Sequence, residues 1–269
     1  MITIIFNTIL TNIILFSYGV IFIKYFCKEK LCENNIHEVS LFGIIFLSFI
    51  VLLLNFFFSI NKIIGTGILV IGLFILLNEF IKNNSIKKEI IKIISISSLI
   101  SFILIVYSNI YRPDAGLYHL PFISIINENK IIIGSANIHF RFATTSIVQY
   151  LSSSQNNFIY DLKSLSIPIA SIFSFFLIYS LKEILISYKL KKISVSLIIF
   201  LITAFCLIGF GRFSNYGNDT VSHIYYFILV IFLLNNFKNI KHDINKINKL
   251  SSICIFLFAS KAFMSLLLF

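Results

Sequence analysis

The chain alternates long apolar runs with short polar segments that contain most of its lysines. Runs of about 20 residues, the length that crosses the hydrocarbon core of a bilayer, occur eight times. They cover about 2–23, 40–60, 63–81, 90–110, 164–187, 193–211, 220–237 and 250–269. This pattern predicts an all-α, polytopic transmembrane helix bundle of about eight spans. The second and third spans are joined by a tight turn at Asn61 and Lys62, which predicts a helical hairpin.

Composition supports this prediction. Of the 269 residues, 58% are hydrophobic and 12% are charged, whereas a soluble domain carries about 25% charged residues. A water-soluble protein of this size needs a charged surface that this chain does not have. Lipid is therefore expected to be the solvent for much of the surface.

The basic residues are distributed unequally between the two sides of the eight-span bundle. Fifteen lysines lie in the loops on one side, and the other side carries Lys62, Arg112, Lys130, Arg141, Lys163 and Arg212. Because cytoplasmic loops carry the excess of lysine and arginine, the N-terminus and the loop 111–163 are expected outside, on a bacterial cytoplasmic (inner) membrane. The net charge of +11 is attributed to loop lysines that contact anionic lipid headgroups, and not to nucleic-acid binding.

This topology divides the chain into three parts: a four-span membrane region at 1–110, an outer loop at 111–163, and a C-terminal membrane region of about four spans at 164–269. The outer loop is predicted to form juxtamembrane amphipathic helices, one beginning near Pro113 and Asp114 and one from about Thr144. The chain stops inside an apolar run, which suggests a truncated copy of a longer protein.

The outer loop also holds the densest set of groups that can move a proton or hold an anion. They are Arg112, Asp114, His119, Glu128, Asn137, His139 and Arg141. Asp114, at the outer end of a span, is placed to act as a general base toward a hydroxyl group. Asp114 and His119 are five residues apart and need not touch on an α-helix, whereas His139 and Arg141 share a face if the chain between them is extended. The alternative interpretation is a solvated loop with scattered polar residues.

All three arginines of the chain lie on the predicted outer side, where the insertion rule gives no reason for a cation. The planar guanidinium group suits phosphate or carboxylate recognition. With only three residues, chance is the alternative explanation.

Three further polar residues lie outside this loop, and two of them, Asp219 and Lys261, have two interpretations each. Asp219 either joins Arg212 and Asn215 in closing over the loop, or caps the seventh span. His223, one turn later, is expected to make a hydrogen bond inside the bundle. Lys261, near the middle of the eighth predicted span, either meets an anionic lipid phosphate or belongs to a tail without a role.

Neither a metal nor another cofactor is predicted. The four cysteines, Cys27, Cys32, Cys206 and Cys254, lack the spacing of metal ligands. A divalent ion held between Asp114 and Glu128 stays open as an alternative.

The run Arg112-Pro-Asp-Ala-Gly-Leu-Tyr-His-Leu-Pro-Phe122, continued by 127–142, resembles a segment of a bacterial family of large multi-span proteins. The family pattern is approximately D-x-G-L-Y-H, followed after a short gap by G-x-x-N-x-H-x-R-F. These proteins resemble the GT-C class of membrane glycosyltransferases, which use a polyprenyl-phosphate-linked sugar as donor. The close match covers this part of the outer loop, and the spans on either side match more loosely.

The resemblance implies transfer of a sugar from a polyprenyl phosphate to a glycan or lipid acceptor during assembly of a cell-surface polysaccharide. Carried over by position, Asp114 is the catalytic acid/base. The residues expected to bind the substrate or the donor phosphate are Arg112, His119, Asn137, His139, Arg141 and Arg212. One departure from the GT-C pattern is that the acidic loop follows the fourth span instead of the first. The alternatives are a non-enzymatic transporter or flippase for lipid-linked glycan and an inactive truncated fragment.

Overall fold

The structure is a computed structural model that describes residues 2–107, 114–160, 162–209, 216–217, 219–237, 240 and 243–261. Within these ranges every regular element is helical, as predicted. The α-helices are α1 (Ile2–Ile21), α2 (Val39–Phe57), α3 (Lys62–Lys82), α4 (Lys87–Tyr107), α5 (Leu120–Glu128), α6 (Ile147–Ser153), α7 (Ile167–Lys189), α8 (Ile193–Gly209), α9 (Asp219–Asn236) and α10 (Ile244–Ser260). Two π-helical turns cover Phe22–Phe26 and Ala115–His119, and short 3-10 turns cover Asn84–Ile86, Ser135–Asn137, Phe140–Thr144 and Leu162–Ser166.

Five helical stretches of the described chain are long and apolar enough to cross a membrane. They are Ile2–Phe26, Val39–Phe57, Lys62–Lys82, Asn84–Tyr107 and Ser164–Lys189, and they coincide with the first five predicted spans. The sixth predicted span is the shorter apolar helix α8. The seventh and eighth correspond to α9 and α10, which are not among the five. The protein is therefore a membrane-associated helical bundle, and the count of eight spans stays a prediction.

The C-terminal helix differs most from its prediction. α10 begins at Ile244, earlier than the predicted start near residue 250, and ends at Ser260. Asp243 sets its start, because one carboxylate oxygen accepts a hydrogen bond from the backbone N–H of Asn245 at 3.0 Å. Residues 262–269, where the predicted span and the expected truncation end, lie outside the described residues.

Local chemistry also explains the predicted hairpin between α2 and α3. The side-chain oxygen of Asn61 accepts hydrogen bonds from the backbone N–H groups of Ile63 and Ile64, each at 3.1 Å. It satisfies two donors that the first turn of α3 leaves without helical partners. α2 ends at Phe57, so the predicted short turn is confirmed, but the two helices pack mainly against α1 and not as a close pair.

α1 and α7 are the central helices of the bundle. α1 packs against α2, α3, α4 and α7, and α7 packs against α4, α8 and α9. The contact between α1 and α2 depends on Gly43, because a Cβ atom at that position would lie 1.8 Å from the carbonyl oxygen of Leu15. Small residues at such crossings let helix backbones approach closely, as in other membrane bundles.

The bundle has two chemically different ends. The loop end carries residues 114–160, and the lysine end carries the loops that contain most of the lysines. At the lysine end, Lys24 pairs with Glu79 at 2.5 Å, and Lys249 pairs with both Glu29 and Glu38. These ion pairs lie among helix ends and loops, so the charges are held away from the apolar middle of the bundle.

The segment 114–160 at the loop end, predicted to lie outside, folds back onto the bundle and contains both predicted helices. α5 buries Phe122, Ile123 and Ile126 on one face, in agreement with its expected amphipathic character. α6 differs, because all seven of its residues are buried, against α2, α5, α7 and α10. The backbone N–H of Ile60 donates to the carbonyl of Ile126 at 3.0 Å, which ties α5 to the hairpin between α2 and α3.

Candidate functional site

The helix that opens the outer segment begins with a wider turn than an α-helix has. The backbone N–H of Leu120 bonds to the carbonyl of Ala115, five residues earlier, which is the π-helical pattern. Residues linked by such a bond lie one above the other along the helix. Asp114 and His119 are also five residues apart. The π-turn therefore brings them closer to the same side of the helix, whereas a regular α-helix would place them on different sides.

Asp114 lies at the start of this helix and is exposed. Its carboxylate accepts a hydrogen bond from the hydroxyl of Tyr118. Burial and the Asp114 charge raise the pKa of Tyr118, although Arg141 opposes the shift. The hydroxyl therefore stays protonated and remains a donor to Asp114, whose carboxylate faces the surface as a proton acceptor must.

Arg141 reaches Tyr118 from the second half of the segment 114–160. The carbon at the centre of its guanidinium lies 5.4 Å from the ring centre of Tyr118 and 5.2 Å from that of Phe140. Both distances are typical of cation–π contacts. The guanidinium charge also acts on His119, where it lowers the pKa of the imidazole.

His119 is buried, whereas Asp114 and Arg141 are exposed. Its ring centre lies 4.2 Å from that of Tyr118 and 5.5 Å from that of Tyr216. The side-chain nitrogen of Gln149, on α6, lies 3.3 Å from His119 Nδ1. Burial lowers the pKa of His119, and this effect outweighs the carboxylate of Asp114, which acts in the opposite direction.

The first turn of α9 and the end of α10 complete the cluster. The ammonium group of Lys261 bonds to a carboxylate oxygen of Asp219 at 2.6 Å. Burial is the largest effect on the pKa of Tyr118 and on that of His119, and the Asp219 charge adds a smaller upward contribution to each. Tyr216 is anchored to α6, because its hydroxyl donates to the carbonyl of Val148 at 3.2 Å.

The structure thus assembles three of the predicted site residues and separates others. Asp114, His119 and Arg141 come together. Asn137 is exposed on the Ser135–Asn137 turn, and no contact with the cluster is seen for it. Two further predicted residues, Arg112 and Arg212, lie outside the described part of the chain.

His139 has a different local role from the one expected. The chain between His139 and Arg141 is not extended, because a 3-10 turn begins at Phe140. His139 Nδ1 accepts a hydrogen bond from the backbone N–H of Arg141 at 3.2 Å and so caps that turn. The ring packs against Phe140 and Phe142.

Lys261 does not lie in the middle of a span, as the apolar run 250–269 suggested. It is the residue at which α10 ends, with an extended backbone, and it belongs to the loop-end cluster through Asp219. Its isolation in an apolar run was a usable sign that it would have an anionic partner. Tyr118 is part of the D-x-G-L-Y-H pattern but was not assigned a role, and nothing in the sequence marks Gln149, because its importance comes from contacts with residues on other elements.

His223 also differs from its expectation. Its Nδ1 atom lies 2.6 Å from the backbone carbonyl oxygen of Asp219, on its own helix. This bond makes the histidine part of the first turn of α9.

A metal ion shared by Asp114 and Glu128 does not fit the geometry. The two carboxylates stand at opposite ends of one helical stretch, about 20 Å apart at 1.5 Å per residue. Glu128 instead accepts a hydrogen bond from the hydroxyl of Ser124 at 3.0 Å. In the described chain no group of three or more histidine, cysteine, aspartate or glutamate side chains is arranged to hold a metal ion.

A pocket of about 130 Å³ opens at the loop end, between α5 and the segment that follows it. Phe122, one turn after His119, and Tyr150, next to Gln149, form part of its apolar wall. Its polar lining is provided by Asn55, Asn129, Lys130, Ser135 and Thr145. A mixed apolar and polar lining of this kind suits a hydroxylated ligand.

One comparison with known proteins gives a match. The model of the family described as "Domain of unknown function (DUF8201)" matches residues 1–269. No curated protein and no solved structure matches the chain.

Proposed function

Because the chain belongs to the DUF8201 family, whose description names no activity, we propose a function from the site itself: a membrane glycosyltransferase that resembles the GT-C class. It takes a sugar from a polyprenyl-phosphate donor and transfers it to a glycan or lipid acceptor in assembly of a surface polysaccharide. The observation that carries this proposal is the cluster at the loop end. It brings the exposed carboxylate of Asp114 and the guanidinium group of Arg141 to the same side chain, that of Tyr118.

The orientation that this reaction needs follows from the charges of the two ends. The lysine end faces the cytoplasm, because excess basic residues in short loops hold a span end on that side. The loop end then lies on the outer surface of a bacterial cytoplasmic membrane. Lipid-linked sugars present their phosphates at the headgroup level, close to where the outer segment folds back onto the helix ends.

The proposed reaction is a direct displacement. Asp114 removes the proton of an acceptor hydroxyl, whose oxygen attacks the anomeric carbon of the donor sugar. The bond between that carbon and the phosphate oxygen breaks, and the lipid phosphate leaves with the electron pair. Arg141 stabilises the departing phosphate by charge-assisted hydrogen bonds. The pocket at the loop end accommodates a sugar unit of the acceptor.

The loop-end charges favour an enzyme over the transporter alternative. A transporter for an anionic lipid-linked substrate is expected to carry ionisable groups near the middle of its spans. Lys261, which suggested such a group, is paired with Asp219 at the end of α10. Buried polar residues deeper in the bundle, such as Asn12 and Ser98, are uncharged and bond to each other at 3.1 Å.

The test is incorporation of a labelled sugar from polyprenyl-linked donors by membranes that contain equal amounts of each variant. Asp114→Asn is expected to reduce incorporation by about 10²-fold or more, since general-base contributions are of that size. Glu128→Gln is the matched control, because Glu128 is exposed at the other end of the same helical stretch and is expected to leave incorporation unchanged. Equal incorporation by Asp114→Asn and the wild type would remove Asp114 from the mechanism. Movement of the lipid-linked sugar across vesicles without a glycosidic product would favour the transporter.

A further inference from the structure

The loop-end pocket is built around one residue of α2. Asn55 is 1% exposed and lies near the end of that helix. Its backbone carbonyl accepts a hydrogen bond from the N–H of Ile131 at 2.9 Å, and its side-chain NH₂ group donates to the carbonyls of Phe58 at 3.2 Å and Asn129 at 3.0 Å. These bonds join the end of α2 to the turn that follows α5, so the walls of the pocket are held in place without a ligand.

The same contacts fix the direction of the Asn55 amide. A backbone carbonyl can only accept, so the atom that faces the carbonyls of Phe58, Ile126 and Asn129 must be the NH₂ group. The amide oxygen then points away from these carbonyls. Within the described residues this oxygen receives no hydrogen bond, although Asn55 is almost entirely enclosed and lines the pocket. An enclosed amide oxygen without a donor costs free energy, which a hydroxyl of a bound ligand would offset.

Tyr150 offers the pocket a second polar atom. It belongs to α6, is 6% exposed, and contributes to the wall of the pocket. Burial raises the pKa of its hydroxyl, which therefore stays a neutral donor near pH 7. In the part of the chain that the structure describes, this hydroxyl makes no hydrogen bond, whereas that of Tyr216 donates to the Val148 carbonyl. The pocket thus contains an enclosed acceptor and an enclosed donor that no described side chain uses.

The size and walls of the pocket favour one ring-shaped ligand. A cavity of about 150 Å³ holds a molecule of the size of benzene, and this pocket has about 130 Å³. One six-membered ring therefore fits, and a second ring has to lie outside the opening. The rings of Phe122 and Tyr150 stand at 83° to each other with their centres 6.4 Å apart, so they form two faces of a corner. The carbon face of a pyranose packs on such a surface while its hydroxyls reach the polar atoms.

Lys130 gives the pocket a positive charge. It is exposed and belongs to the lining, and none of the described lining residues is acidic. Among the described residues Lys130 forms no ion pair, since the carboxylate of Glu128 accepts from Ser124 instead. The lysine lies at the end of the bundle where the insertion rule gives no reason for a cation. An ammonium group in this position suits an anionic substituent on the ligand.

We propose that the loop-end pocket binds one acidic monosaccharide unit, a pyranose that carries a carboxylate. The Lys130 ammonium pairs with this carboxylate, Asn55 Oδ1 accepts a hydrogen bond from a ring hydroxyl, and the Tyr150 hydroxyl donates to another ring oxygen. The assignment of this unit to the end of a glycan acceptor rests on the proposed function, whereas binding of the free sugar does not.

The test is binding of free sugars to the full chain in phosphatidylcholine nanodiscs, measured by saturation-transfer NMR titration. The probes are the methyl glycosides of glucuronic, galacturonic and mannuronic acid, each compared with the neutral sugar that has CH₂OH in place of the carboxylate. At least one acid is expected to bind about fivefold more tightly than its neutral counterpart, which corresponds to one exposed ion pair. Binding of no acid, or equal binding of every acid and its counterpart, would overturn the proposal. Tighter binding of glycerol phosphate than of every acid would also overturn it and assign the pocket to a phospholipid headgroup.

Variants of the lining separate the charge from the hydrogen bond. Lys130→Met is expected to weaken binding of the acid about fivefold and to leave that of the neutral sugar unchanged. Tyr150→Phe keeps the ring but removes the hydroxyl, and it is expected to weaken binding of both sugars about fivefold. Lys62→Met is the control, because Lys62 is exposed at the start of α3 and does not line the pocket. Acid binding that Lys130→Met leaves unaffected, or that Lys62→Met reduces equally, would show that the carboxylate is not bound in this pocket.

These titrations need neither a donor nor turnover, so they fail independently of the proposed reaction. Wild-type incorporation by Asp114→Asn would remove the transferase and leave the sugar site standing. Incorporation that depends on Asp114, without binding of any acidic sugar, would remove the sugar site and leave the transferase.

Discussion

The ion-pair cluster at the lysine end makes a quantitative prediction about how α10 is held. Lys249 is 5% exposed, and its ammonium group bonds to Glu29 at 2.8 Å and to Glu38 at 2.5 Å. Replacing this lysine by methionine keeps the length of the side chain but leaves two enclosed carboxylates facing each other. Removing one partner of a buried ion pair costs about 3–5 kcal/mol, because the remaining charge is not compensated. We expect the free energy needed to open the contact between α10 and the 27–38 loop to fall by that amount.

The chain carries its own reporter of this opening. Cys27 is fully buried and lies close enough to Lys249, Glu29 and Glu38 to be affected by their charges. With the other three cysteines replaced, the rate at which a thiol reagent labels Cys27 measures how often the contact opens. A cost of about 3–5 kcal/mol corresponds to labelling that is about a hundredfold to a few thousandfold faster.

The control is Lys246→Met on the same helix, because Lys246 is more exposed and pairs with Asp243 at 3.7 Å. An ion pair of that kind contributes about 0–1 kcal/mol, so its labelling rate is expected to stay within a few-fold of the wild type. The Lys249→Met variant with both glutamates changed to glutamine is expected to recover most of the loss. Wild-type labelling by Lys249→Met, or no recovery in the triple variant, would refute the role given to these charges.

The same cluster predicts a dependence on pH. Burial raises the pKa of Glu38, and Lys249 offsets part of that shift. Without the ammonium group, the closed form holds a proton that the open form releases. Stability of the contact in Lys249→Met is then greatest below the ordinary glutamate pKa of about 4.3 and falls as pH rises. The ratio of its labelling rate to that of the wild type should therefore increase with pH.

Two further predictions concern the helix crossing and the loop-end histidine. Gly43→Ala is expected to lower the stability measured by thermal unfolding by about 1–3 kcal/mol, because the new methyl group meets the Leu15 carbonyl. Gly67→Ala is the control: its methyl group meets nothing within 4 Å, so the variant is expected to be as stable as the wild type or more stable. Burial lowers the pKa of His119 in the folded protein. As pH falls below about 6.5, His119 therefore gains its proton in the unfolded chain before it does so in the folded protein. The wild type should therefore lose thermal stability on acidification more than His119→Gln does, and equal losses would contradict the burial effect.

The sequence allows the membrane helices to be predicted because length and apolar character suffice for that purpose. The first five spans and the hairpin turn at Asn61 needed no tertiary information. The end of α10 could not be found in this way, because apolar residues continue on both sides of Lys261. The ion pair with Asp219, 42 positions earlier, joins the end of α10 to the start of α9.

The candidate site could be predicted only in part, for similar reasons. Asp114, His119 and Arg141 were identifiable as chemically capable groups in one polar segment. Their contact depends on a π-turn, and no feature of the sequence Ala115 to His119 distinguishes it from an α-helical turn. The position of His119 depends in part on Gln149, thirty positions later, whose side-chain nitrogen lies 3.3 Å from His119 Nδ1.

The burial of α6 has a consequence for the order in which the protein is made. Its seven residues, Ile147–Ser153, are enclosed partly by α10, which begins at Ile244. During synthesis from the N-terminus, α6 emerges long before that partner exists, so its enclosure can be completed only after the last described helix has arrived. Ribosome-bound chains that stop before Ile244 should leave α6 open to protease and to chaperones. The loop-end cluster, which needs Gln149 from α6 and Lys261 from the end of α10, is therefore among the last parts of the protein to mature.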